Sequence, residues 1–453
     1  MGWAPVAPSP TFFYPGHSMP KRMMKLGAVI GGGGINEWAW RRPGYDPTSG
    51  ADPNYWIEYA RNIEKAKFDF LFVSDTPYID HSSPPHFLNR LEPLTGISAV
   101  AAATTNLGLV ATVSTSFADP FTVARQLASI DRISHGRVGW NIVTTGLSGA
   151  AANFSQTSHL PPEDRYRRAA EHVKVVKGLW HSWEEDAFLH DKETGVFFDP
   201  EKLHRLDHAG EFFSVRGPLN VARSDQGHPV LFQAGSSEPG RAFAAQFGEV
   251  LFADHDSFEQ HRAYYVDMQS RMAAMGRDPE NIVVVTSTSP IIGSTDEEAE
   301  AIYAGILAET GLHYALARLS HLFDGYDFAQ HDPDAMFPDL PDVGRDSYRS
   351  ETDNIKSWAK RDGLTLREVA QRRANPRPKF FGSAERVADE MERWFVERAV
   401  DGYIMNLGIC DSLDAFIEQV LPILQKKGVF RTEYDTTTFR GNLGLQIPHN
   451  IRS

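Results

Sequence analysis

The sequence predicts a TIM-type α/β barrel, eight parallel strands with helices packed outside them. Three observations predict it: eight short apolar runs, helical periodicity between most of them, and polar or small residues gathered where the runs end. The runs are 24–30 (MKLGAVI), 68–74 (FDFLFVS), 107–113 (LGLVATV), 137–143 (RVGWNIV), 229–234 (PVLFQA), 249–253 (EVLFA), 282–292 (IVVVTSTSPII) and 402–407 (GYIMNL). Helical spacing marks about 53–66, 93–104, 120–133, 165–181, 238–247, 257–275, 296–309 and 412–426. Eight such units suit a closed barrel better than an open doubly wound sheet.

Two stretches exceed ordinary connections: about 145–227 after the fourth strand and about 311–380 between the seventh and eighth units. Loops of that length in a compact domain usually serve function, and those that follow barrel strands lie on the catalytic face. Both are read as insertions, with a lid over the barrel mouth as their expected role. The organisation expected is an arm at 1–23, one barrel domain at 24–445 and a tail at 446–453.

Composition narrows the function. Of 453 residues, 42% are hydrophobic and 23% charged, enough for a large core and unlike a disordered chain. A formal charge of −14 argues against a nucleic-acid or anionic-membrane partner and favours a small molecule. Cys410 is the one cysteine, so neither an intrachain disulfide nor a CxxC site is available. The proline-rich start lacks a basic, apolar leader, and no run of about eighteen apolar residues occurs, so the cytoplasm is expected. His81, His86, His159 and His255 show no HxH or HExxH spacing, and no metal is expected.

In a barrel, polar residues at the C-terminal strand ends face the ligand. Asp75 closes the second strand, Thr112 to Ser116 the third, Asn141, Thr144 and Thr145 the fourth, and Gln233 to Ser237 the fifth. Hydroxyls and amides without a paired-carboxylate motif suit holding a heterocycle better than hydrolysis; the alternative is that they cap helices and turns. The run Gln233-Ala-Gly-Ser-Ser-Glu-Pro-Gly-Arg241 passes from strand through a small-residue turn into a helix. Gly235 lets backbone approach, Ser236 and Ser237 donate, and the helix N-terminus favours a phosphate. Neither GxGxxG nor GxxxxGK[ST] is present. Asp164-Arg165-Tyr166 opens a helix in the first insertion and reads either as a second phosphate clamp or as a solvated face. Trp38, Trp40, Tyr45, Tyr78, Phe87 and Phe117 either wall a pocket or pack the barrel mouth. Arg41 and Arg42 either receive a carboxylated substrate or face solvent.

The runs Gly136-Arg-Val-Gly-Trp-Asn-Ile-Val-Thr-Thr145, Asp164-Arg-Tyr166, Val215-Arg-Gly-Pro-Leu-Asn-Val221, Gln233-Ala-Gly-Ser-Ser237 and Gly428-Val-Phe-Arg-Thr-Glu-Tyr434 carry a resemblance. The chain resembles the nitrilotriacetate monooxygenase, pristinamycin synthase and dibenzothiophene sulfone monooxygenase family, a branch of the bacterial luciferase-like flavoproteins, from about residue 24 to 445. The resemblance implies a TIM barrel, reduced FMN delivered by a separate NAD(P)H-dependent flavin reductase, molecular oxygen as co-substrate, and a homodimer or homotetramer. Asp75 and Thr112 resemble FMN-contacting positions, Tyr166, Ser236 and Ser237 resemble phosphate-binding positions, and Asn141 and Thr144 lie in the matching fourth-strand motif. Many relatives carry a histidine four residues before the tyrosine of this DRY segment; Pro162 stands there, so the clamp is weaker or His159 substitutes. The implied activity is insertion of one oxygen atom into a small organic substrate, of nitrilotriacetate type or an organosulfur compound. Two alternatives share the barrel: a deazaflavin-dependent hydride-transfer enzyme and a flavin-binding protein without catalysis.

Overall fold

The computed structural model describes residues 22–31, 39–41, 45–80, 83, 85–235, 237–341, 343–344, 349–406 and 412–450. The expected arm up to residue 21, and Trp38, Arg42, Ser236 and Cys410, lie outside the described residues. Eight parallel strands close into a barrel: β1 (Lys25–Val29), β2 (Phe70–Val73), β3 (Gly108–Ser114), β4 (Val138–Val143), β5 (Val230–Ala234), β6 (Val250–Phe252), β7 (Val283–Thr288) and β8 (Gly402–Met405). Neighbours in sequence are neighbours in the sheet, and β8 pairs back onto β1. The barrel expected from the sequence is therefore present, strand by strand. The run 282–292 divides, because Ser289 and Pro290 interrupt it and Ile291–Gly293 pairs instead with Phe381–Ser383 outside the barrel. Proline has no N–H to give a continuing ladder.

Helices α1 (Pro53–Lys65), α2 (Pro93–Ala103) and α3 (Pro120–Ile133) begin alike. An acid, Asp52, Glu92 or Asp119, accepts backbone N–H groups of the first turn, and proline follows it at a position whose own N–H would be unsatisfied. The ring continues through α4 (Pro162–Trp180), α5 (Glu238–Phe247), α6 (Phe258–Ala274), α7 (Ala384–Val396) and α8, residues 412–426, which carries a π-type turn at Phe416–Val420. Helix α7, for which the sequence reading assigned no element, buries Val387, Ala388, Met391, Trp394 and Phe395 against the barrel core. The sequence-predicted helix Asp296–Glu309 packs elsewhere, on Ile291 and Phe381.

Between β7 and α7 lies the second insertion. Its helices Leu312–Leu322, Arg349–Asp362 and Leu366–Ala374 enclose a core of their own that includes Leu319, Phe323, Phe328, Ile355, Leu366 and Val369. The first insertion contributes α4 and two short hairpins, Phe188–Asp191 with Val196–Phe198 and His208–Ala209 with Ser214–Val215.

The opposite end of the barrel is built for stability. Asp69, Glu249 and Asp401 each stand one residue ahead of a strand or its pairing edge and accept a backbone N–H from the neighbouring strand: Leu26 at 2.8 Å, Leu231 at 3.0 Å and Val284 at 2.8 Å. Each carboxylate also holds an arginine, Arg431 at 2.6 Å, Arg440 at 2.6 Å and Arg22 at 2.9 Å respectively. Phe439 closes this end from within, stacked against Phe232 at 5.9 Å between ring centres. A Cβ at Gly108 would run into the Phe439 ring, so the smallest residue stands where the plug enters. Among the described residues no helix is long and apolar enough to cross a membrane.

Candidate active site

The C-terminal strand ends open into a cavity of about 430 Å³. Asp75 and Thr76 after β2, Ile142 to Leu147 at and beyond β4, Gln233 and Ala234 of β5, Tyr166 of α4 and Phe243 of α5 line it, with Tyr78, Ser83 and Phe87 on one side. Its size falls within the range of small-molecule and cofactor sites, about 300–1,000 Å³.

Beneath the cavity a hydrogen-bond relay crosses three strands. Asn141 Nδ2 donates to Thr112 Oγ1 at 2.8 Å, and that hydroxyl donates to the Val73 carbonyl at 2.7 Å. Both residues are buried and register opposite each other in β3 and β4. On the β2 side Arg90 pairs with Asp75 and lies over the Phe87 ring at 4.5 Å. This arginine escaped the sequence reading because it sits in an aperiodic loop with no motif. His86 beside it is pushed down to about 4 by burial first and by the Arg90 charge second, which leaves the imidazole neutral near pH 7.

On the β5 side the turn into α5 is a cradle. A Cβ on Gly235 would lie 3.0 Å from the Gly240 Cα, and one on Gly240 would lie 3.1 Å from both Ser237 Oγ and Tyr166 Oη. Two glycines thus bring the turn, the helix and the tyrosine hydroxyl within contact of one another. Ser237 is the N-cap, its Oγ accepting from Gly240 N at 3.3 Å. Tyr166 packs on Phe243 at 5.8 Å. Phe243 had no motif to announce it; it faces the cavity because it lies on the inner side of α5.

Two residues beyond β4 stands Thr145, whose carbonyl accepts from His159 Nε2 at 2.6 Å and from Arg165 Nη1 at 2.7 Å. Arg165 is half-buried, its Nε lacks a partner, and no carboxylate pairs with it among the described residues. Phe117 stacks on Phe154 at 4.6 Å and meets the His159 ring at 5.1 Å. Asp75, Thr144 and Tyr166 therefore line the cavity itself, Thr112 and Asn141 support it, and Gly235 and Ser237 form its cradle. His159, Arg165 and Phe117 are gathered behind its β4 wall. Trp40 and Arg41 stand exposed in the short turn Ala39–Arg41 and are not among the lining residues.

A model of the luciferase-like monooxygenase family matches residues 38–402. The chain belongs to this family. Its members are flavin-dependent monooxygenases, so this protein is an enzyme of that kind. It is 42% identical over 433 residues to N-acetyl-S-(2-succino)cysteine monooxygenase of Bacillus subtilis (strain 168), covering 95% of this chain and 98% of the relative. Nitrilotriacetate monooxygenase component A of Aminobacter aminovorans is 38% identical over 445 residues, with 95% and 98% covered. Among solved structures, EDTA monooxygenase from Chelativorans sp. BNC1 superposes with a TM-score of 0.76 at 30% identity, covering 94% of this chain and 99% of that one.

The luciferase-like site can be tested against a flavin by its donors. A phosphate monoester needs N–H and O–H groups with backbone approach, which the Gly235–Gly240 cradle, the Ser237 cap and the Tyr166 hydroxyl present together. A ring carrying N–H groups needs acceptors, and Gln233 Oε1 is a buried acceptor on the cavity wall with no partner among the described residues. The residues fit the group.

Proposed function

We propose that the protein is the oxygenase component of a two-component system, using reduced FMN from a separate NAD(P)H-dependent flavin reductase and molecular oxygen to insert one oxygen atom into a small carboxylated substrate. The observation that carries this reading is the single cavity-lining set of Asp75, Thr144, Gln233 and Tyr166 beside the α5 cradle. Reduced FMN, when bound, supplies the two electrons that activate oxygen. Ser237, Tyr166 and the first turn of α5 hold its phosphate, and a charge-assisted hydrogen bond of this kind contributes about 1.5–3 kcal/mol. Asp75 and the Thr112–Asn141 relay orient the inner end of the site. Tyr78 and Phe87 give the reacting region an apolar flank.

The carboxylated class rests on the similar proteins. N-Acetyl-S-(2-succino)cysteine, nitrilotriacetate and EDTA, which name three relatives, all carry several carboxylates. Neutral organosulfur compounds form the contrasting class. A titration with oxidised FMN and with a deazaflavin, followed by oxygen uptake with a flavin reductase and a panel of aminopolycarboxylates and carboxylated thioethers, tests the reading. FMN preference with uptake stimulated by a carboxylated compound supports it. Deazaflavin preference would indicate hydride transfer, and tight FMN binding without stimulated uptake by any compound would indicate a non-catalytic binder.

A further inference from the structure

On the cavity wall, the Thr145 backbone is held out of its ordinary range. Its φ is +45°, in the left-handed region. A β-branched residue enters that region only when its surroundings compel it, because Cβ crowds the following carbonyl. Three side chains from three separate segments supply the compulsion. Ser114 Oγ at the end of β3 shares a hydrogen bond with Thr145 Oγ1 at 2.6 Å. His159 Nε2 and Arg165 Nη1 donate to the Thr145 carbonyl at 2.6 and 2.7 Å, from fourteen and twenty residues further along the chain. Ser116 Oγ fixes the preceding peptide by donating to the Thr144 carbonyl at 2.8 Å. His159 is itself braced, its ring 5.1 Å from Phe117, which stacks on Phe154.

We propose that His159 and Arg165 are positioning residues that latch Thr145 in its left-handed conformation, and so set the wall Val143–Gly146 against which the flavin lies. This rests on the flavin reading above but assigns His159 a different part from the phosphate ligand that its place before Tyr166 suggests. The imidazole N–H that a phosphate would use is spent on a backbone carbonyl of the same chain. Arg165 gives the latch a second consequence. It precedes Tyr166, which lines the cavity and reaches the α5 cradle, so one turn of α4 fixes both the β4 wall and the tyrosine. Strain of this sort at a ligand wall is a means of pre-organisation, since the site is shaped before the ligand arrives.

The test is a set of four variants of the full chain: His159→Ala, His159→Gln, Thr145→Gly and the His159→Ala/Thr145→Gly double. Two quantities are measured: hydrogen exchange of the segment 144–147 in the ligand-free protein, and the dissociation constant for oxidised FMN by fluorescence quenching. His159→Ala is expected to speed exchange at Gly146 and Leu147 and to weaken FMN on the order of tenfold. His159→Gln, which keeps an N–H donor, is expected to restore most of both. In the Thr145→Gly background, removing His159 is expected to weaken FMN less than about threefold, because glycine takes a positive φ unaided. An unchanged exchange rate in His159→Ala, or the same tenfold loss with and without Thr145→Gly, would overturn the latch and make His159 a direct ligand contact. Should the wild-type protein fail to bind FMN, the flavin reading falls while the exchange data still decide whether the latch exists.

Discussion

Replacing Glu249 by glutamine tests the account of the barrel's closed end. Glu249 is buried, its Oε1 receiving Arg440 Nη1 at 2.6 Å and its Oε2 receiving Arg440 Nη2 at 3.0 Å and Leu231 N at 3.0 Å. Burial pushes this carboxyl up, but the Arg440 guanidinium, by its charge and its hydrogen bonds, outweighs burial with help from the Leu231 N–H and draws it down to about 2. A carboxyl held at about 2 instead of its ordinary 4.5 contributes about 3 kcal/mol at neutral pH. Breaking a buried pair by removing one charge independently suggests about 3–5 kcal/mol. Glutamine keeps the volume but sets an NH₂ against either a guanidinium N–H or the Leu231 N–H. Because the folded-state value is lowered, the contribution is complete above the unfolded value of 4.5 and is lost as the pH falls through about 2. Urea unfolding of wild type and Glu249→Gln at several pH values, followed by tryptophan fluorescence, should show a gap of about 3 kcal/mol at pH 7 that narrows steadily below about pH 4.5. A gap under about 1 kcal/mol at pH 7, or one that is the same at pH 7 and pH 3, would refute the assignment.

Other expectations follow from the same geometry. Phe439→Ala should cost about 3–5 kcal/mol in urea unfolding, since it empties the inner plug of the barrel. Thr112→Val should cost about 1–3 kcal/mol by leaving the Asn141 amide without its acceptor, whereas Thr112→Ser, which keeps the hydroxyl, should recover most of it in the same unfolding measurement. Ser237→Ala should weaken oxidised FMN by about five- to tenfold, measured by fluorescence quenching, and lower stability by about 1 kcal/mol through loss of the cap.

The barrel was legible because a strand buried on both faces must be a short apolar run, and all eight such runs became barrel strands. The acid–proline starts of α1, α2 and α3 were equally legible, being local chemistry. Helix α7 carries a readable signal in Val387, Ala388, Met391, Trp394 and Phe395, which recur at helical spacing beside the long insertion. In the site, the strand-end polar residues and the Gly235–Ser237 turn announced themselves by position and composition. The hold on Thr145 did not. A threonine gives no sequence sign of a left-handed backbone, and its partners arrive from loops whose return to β4 only the fold determines. The Asp75–Arg90 pair was hidden for the same reason, a contact made between two aperiodic segments.

Oxygen insertion by a flavin held at the β4–β5 mouth can be followed by isotope incorporation. The protein would be supplied with FMN, a flavin reductase and NADH under ¹⁸O₂, with the carboxylated compound that most stimulates oxygen uptake, and the product analysed by mass spectrometry. The expected product carries one labelled oxygen atom and forms only when protein, reductase and FMN are all present. A product that takes its oxygen from water, or one formed equally well without oxygen, would contradict it.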